Sequence, residues 1–66
     1  MRVMLNGVQR DLPDGALVRD AVQATGAAQQ GVAVSIEGEV VPRASWDRVA
    51  LRDGQRVEVV QAVQGG

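Results

Sequence analysis

Two short runs, Arg2 to Leu5 and Val8 to Leu12, flank the dipeptide Asn6-Gly7, and the two-residue period of a strand puts Met1, Val3, Leu5, Val8 and Leu12 on one face. Both turn residues tolerate a positive φ, so a type I′ hairpin is predicted, with Leu5 opposite Val8, Val3 opposite Arg10, Met1 opposite Leu12 and Arg2 opposite Asp11. Arg10 is the polar exception on that face and is expected at its rim, stem buried and head in water. Beyond the break at Pro13-Asp14-Gly15 the period changes. Val18, Ala21, Val22 and Thr25 recur at i, i+3, i+4 and i+7, which predicts a short amphipathic helix stopped by Gly26. Asp20 falls in its first turn, on the favourable side of the helix dipole. Leu17 stands where a capping Ser, Thr or Asp is wanted, which leaves Asp14 as the candidate cap one turn earlier.

Alternation resumes with Val32, Val34 and Ile36, and Glu37-Gly38 turns the chain into Val40-Val41 as a second hairpin or strand pair. Pro42 ends that pairing because it has no N–H for the ladder. Arg43 to Leu51 reads as an irregular or single-turn connection carrying Trp46, and Asp53-Gly54 as a tight turn. The last run, Arg56 to Val63, puts Val57, Val59 and Val63 on one face and Glu58, Val60 and Ala62 on the other. That is the pattern of a strand inside the sheet, or of an outer face used for binding. No repeat, low-complexity stretch or linker interrupts the series. The expectation is an α+β fold: one domain over 1–63, a mixed sheet of four to five strands with one main helix packed on one face, and a flexible tail over 64–66.

Composition narrows what such a domain can do. Its 66 residues allow one small core. Seven basic and eight acidic residues leave a formal net charge of −1, with no general attraction to nucleic acid or an anionic membrane, so neither is expected as a partner. The absence of Cys and His removes disulfides, thiol nucleophiles, the commonest zinc ligands and the commonest general base. The acidic residues show no metal or acid/base spacing, so no metal, cofactor or catalytic residue is expected and the chain is not read as an enzyme. No apolar run is long enough for a signal peptide or a membrane span, and the cytoplasm is the expected location.

The candidate chemistry sits at Gln64-Gly65-Gly66. Two glycines bury nothing and lose the most entropy on ordering, so they do not stabilise a fold. They are thin, and a chain without side chains threads a narrow channel to bring a carboxylate to another protein's active site. A carboxylate is a poor electrophile until its oxygen is made a leaving group. Conversion of the Gly66 carboxylate to a mixed anhydride with a nucleotide, followed by displacement by a thiolate or persulfide, would make this chain a carrier whose reactive atom is its own terminus.

Val40-Val41-Pro42-Arg43, Trp46, Asp53-Gly54, Val57-Glu58-Val59-Val60 and the closing Gly65-Gly66 together resemble the ThiS family, the sulfur carriers of thiamin biosynthesis. The resemblance covers the whole chain and implies the ubiquitin-like β-grasp fold. It implies that Gly66 is adenylated by a ThiF-type enzyme using Mg-ATP and converted to a thiocarboxylate, with sulfur drawn from cysteine through a desulfurase. The thiocarboxylate would then donate its sulfur to thiazole synthase, ThiG, so the chain would be a co-substrate of its partner enzymes. Leu17, Glu37 and Gln55 depart from the family pattern at a helix cap and two turns.

The remaining candidates are contact residues. Trp46, the one aromatic, either covers the open end of the core or meets a partner, and Arg43 is either a solvated guanidinium or a docking contact. Val60 and Ala62, on the face opposite the core set, either lie beneath a neighbouring loop or form the apolar patch next to the tail that a docking surface needs. The rival readings are a related β-grasp sulfur carrier for molybdopterin or tRNA thiolation, and a non-catalytic β-grasp interaction module whose final glycines are inert.

Overall fold

The structure is a computed structural model and describes residues 1–27 and 30–61. Its elements are β1 (Arg2–Leu5), β2 (Val8–Asp11), α1 (Val18–Ala24), β3 (Val32–Ile36), β4 (Glu39–Val41) and β5 (Arg56–Gln61), with a 3₁₀ turn at Arg43–Ser45. The strands form one mixed sheet in the order β2-β1-β5-β3-β4. This is the ubiquitin-like β-grasp. Two hairpins stand side by side, and the last strand slots between them, parallel to β1 and antiparallel to β3.

The first hairpin has the expected register, Leu5 opposite Val8 and Arg2 opposite Asp11, with Asn6 at φ 52° and Gly7 at φ 79° as a type I′ turn requires. Its inner face is less uniform than the pattern implies. Val3 and Leu5 are buried, but every β2 residue is exposed, because β2 is an edge strand that the short helix does not reach across. Arg10 is exposed, and its guanidinium, expected in water, donates to the Ala24 carbonyl at 3.2 Å, where the negative end of α1 favours a cation. The second hairpin turns through Glu37 at φ 50° and Gly38 at φ 85°.

α1 buries Val18, Ala21 and Val22 against the sheet, while Thr25 becomes its C-cap and Gly26, at φ 75°, stops it. Its start differs from the expectation on Asp14. Leu17 is the N-cap without a side-chain acceptor, and the Val18 and Arg19 N–H groups donate instead to the carbonyls of Val49 and Trp46 at 3.0 and 3.2 Å. The connection before β5 therefore satisfies the end of the helix that a polar cap would otherwise serve. Asp20 contributes by accepting from the Leu17 N–H at 2.8 Å, and Asp14 pairs with the N-terminal ammonium at 3.1 Å. Gln55, another departure from the family pattern, closes its turn by accepting from the Arg52 N–H at 2.7 Å.

Trp46 joins the core at 4% exposure, among Val34, Leu51, Val57, Val59 and the helix residues, and its indole N–H donates to Val41 O at 3.0 Å. No polar or charged side chain is buried among the described residues. A core of valines around one aromatic ring leaves little margin. Trp46→Ala should cost about 3–5 kcal/mol, against a total of roughly 3–10 kcal/mol for a domain of this length, and Trp46→Phe only about 1–2 kcal/mol for the lost hydrogen bond and volume. Circular-dichroism melts of the two variants should show the first largely unfolded at 37 °C and the second folded.

Candidate functional site

The residues expected to carry the chemistry, Gln64, Gly65 and Gly66, lie outside the described residues, as do Ala62 and Val63. What the structure describes is the strand that precedes them. β5 is the central strand, so its apolar residues on both faces have separate roles. Val57 and Val59 point into the core at 0% and 7% exposure, while Val60, on the helix-free face, is 54% exposed.

On that open face the register brings together residues far apart in sequence. Val60 lies opposite Ala33 of β3, and Val40 of β4 lies opposite Ser35, diagonal to Ala33. Val40 is 74% exposed. Val60, Ala33 and Val40 thus form an apolar corner of a face that also carries the charged Arg2, Asp11, Arg56 and Glu58 with Met4, Gln9 and Ser35 among them. Exposed apolar area of this kind is what a protein contact buries. Sequence alternation singled out Val60, but Ala33 and Val40 enter only through pairing with β5 and β4.

Arg43 and Trp46 sit at the end of β4. The Arg43 guanidinium lies 5.7 Å from the Trp46 ring centroid, a cation–π distance, with the arginine exposed and the indole buried beneath it. An incoming molecule at this point meets Arg43, and Trp46 acts as its support. Two surface depressions of about 310 and 350 Å³ are lined by residues such as Arg2, Asp53 and Gly54, and Pro13, Asp14 and Gly15. Neither gathers a nucleophile with a base. Among the described residues no group of three His, Cys, Asp or Glu could hold a metal ion, and no helix is long and apolar enough to cross a membrane. Among the described residues no titratable side chain is buried.

A β-grasp domain with an open apolar corner on its sheet is the class of protein that this fold and surface define. The ThiS family matches residues 3–66, and the chain belongs to that family. It is 26% identical over its full length to the full length of the sulfur carrier protein ThiS of Escherichia coli K12. It is 32% identical over 66 residues to a thiazole synthase of Paramagnetospirillum magneticum, and spans about a fifth (20%) of that longer protein. The crystal structure of the thiamine biosynthesis protein ThiS from Geobacter metallireducens superposes with a TM-score of 0.83 at 29% identity, covering 100% of both chains.

The two faces of β5 can be separated experimentally. Val60→Asp, on the exposed side, should change stability by no more than about 1 kcal/mol, whereas Val59→Asp buries a charge at a cost of several kcal/mol and should unfold the domain. Urea melts of the two adjacent variants check this directly.

Proposed function

We propose that this chain is a sulfur carrier of thiamin biosynthesis whose Gly66 carboxylate is the reactive group. Membership of the ThiS family over residues 3–66, a match that includes the two terminal glycines, carries the reading. From Gln61, the last residue of β5, five residues lead to Gly66, a reach of up to about 17 Å if extended. That is enough for the carboxylate to enter a neighbouring active site while the sheet stays outside it.

In the proposed cycle a ThiF-type enzyme docks the carrier, and a Gly66 carboxylate oxygen attacks the α-phosphorus of ATP, releasing pyrophosphate. A persulfide sulfur, drawn from cysteine by a desulfurase, attacks the acyl carbon and expels AMP. A thiol then cleaves the resulting acyl disulfide, leaving the thiocarboxylate on Gly66 and a disulfide on the donor side. Thiazole synthase takes the sulfur. Support for that last partner comes from the Paramagnetospirillum relative, a thiazole synthase that carries a stretch similar to this whole chain. Gly65 and Gln64 form the thin approach to Gly66, and Val60, Ala62 and Arg43 the contact surface beside it. The chain is then a co-substrate with no resident cofactor, and it works in the cytoplasm, where ATP and these enzymes meet.

Incubated with its adenylating enzyme, Mg-ATP and a persulfide source, the protein should gain the mass difference between sulfur and oxygen, localised by fragmentation to Gly66. An unchanged intact mass with an active partner refutes the reading. Deleting Gly66, or adding one alanine after it, should abolish thiocarboxylate formation while moving stability by less than about 0.5 kcal/mol. One residue shifts the carbonyl by about 3.3–3.6 Å, as much as the whole attack distance.

A further inference from the structure

The hairpin turn residue Asn6 does more than turn the chain. β1 and β5 run parallel, and their ladder proceeds through Met4 N–H to Gln55 O and Asn6 N–H to Val57 O, both 2.9 Å. The next step of a parallel ladder would take both backbone groups of Val59. The chain has by then turned away at Gly7, and the Asn6 side chain substitutes for the missing strand. Its Oδ1 accepts from the Val59 N–H at 2.8 Å and its Nδ2 donates to Val59 O at 3.1 Å. On the β1 side these are the last hydrogen bonds to β5 among the described residues, and they fall seven positions before Gly66. On the other side β3 pairs with β5 as far as Gln61.

We infer that Asn6 is a positioning residue for the carrier reaction: its carboxamide fixes the direction in which β5 leaves the sheet, and so the direction from which the carrier meets its partner's active site. The inference rests on the proposed carrier function. A strand gripped on both edges leaves the sheet along one line, whereas a strand held only by β3 swings about that edge. Attack on ATP needs the carboxylate within about 3–3.5 Å of phosphorus, so lost direction at Val59 appears as a lower turnover. Docking through the sheet face is untouched, so the carrier's KM holds.

Asn6→Gly isolates the side chain, because glycine accepts the positive φ of the turn without strain. Wild-type protein must first form the thiocarboxylate with its adenylating enzyme, ATP and persulfide donor; if it does not, the carrier reading itself has failed. Given that activity, Asn6→Gly should exchange its Val59 amide about tenfold faster relative to the Val34 amide. Its kcat should fall about tenfold or more at an unchanged KM for the carrier. Asn6→Asp keeps the acceptor for the Val59 N–H and should show an intermediate kcat. Val18→Ala, a core change in α1 assayed well below its melt, should lose stability without losing kcat. The inference is overturned by unchanged Val59 exchange in Asn6→Gly, or by faster exchange with an unchanged kcat. It also fails if KM rises in place of the fall in kcat, if Asn6→Asp turns over no faster than Asn6→Gly, or if Val18→Ala loses kcat to the same extent.

Discussion

Everything in this fold waits on β5. The first four strands make two separate hairpins, and an isolated two-stranded hairpin is marginal in water. Only when the last strand enters between β1 and β3 do the hairpins share a sheet, and only then do Val57 and Val59 complete the floor on which α1 rests. The two hairpin turns reach across to grip that strand from opposite sides. Asn6 holds Val57 and Val59, while Glu37 donates its N–H to Arg56 O at 2.9 Å and accepts from the Arg56 N–H at 2.6 Å. Both are non-glycine residues at positive φ, and the hydrogen bonds to β5 offset the conformational cost of placing them there.

The domain achieves this with few polar resources. Its ion pairs, Arg2 with Asp11 and Arg19 with Asp47 among them, are exposed and contribute little. Stability has to come from the valine core, from Trp46 sealing one end and from backbone groups satisfied across elements. α1 illustrates the last point: seven residues are too few for an independent helix, and its first N–H groups are completed by carbonyls of the connection that follows β4. Helix, connection and strand are therefore one cooperative unit.

Local chemistry made much of this legible. Asn6-Gly7 and Glu37-Gly38 set both hairpin registers, the 18, 21, 22 spacing set the buried face of α1, and apolar residues on both faces of the last run marked a strand inside the sheet. The missing parts are all nonlocal. Leu17 looked like a poor cap because its replacement partners, Trp46 O and Val49 O, come from 29 and 32 residues later in the chain. Val40 and Ala33 read as ordinary strand residues, and only the pairing of β3 with β4 and β5 gathers them beside Val60. Asn6 read as a turn former, and periodicity carries no signal that its carboxamide spans 53 positions to Val59. The two closing glycines stand out in the sequence itself and lie outside the described residues.

The burial of Trp46 gives the domain a built-in optical probe. With no Tyr or Phe in the chain, aromatic emission and near-ultraviolet dichroism come from a single indole. That indole is hydrogen-bonded to the last residue of β4, covered by Arg43 and packed on the face of β5 that points into the core. Its wavelength, anisotropy and access to a soluble quencher therefore report one junction, the place where the second hairpin, the connection and the closing strand meet. Loosening of that junction when a partner seats on the sheet could be followed in unlabelled protein, against a background free of other carrier fluorophores.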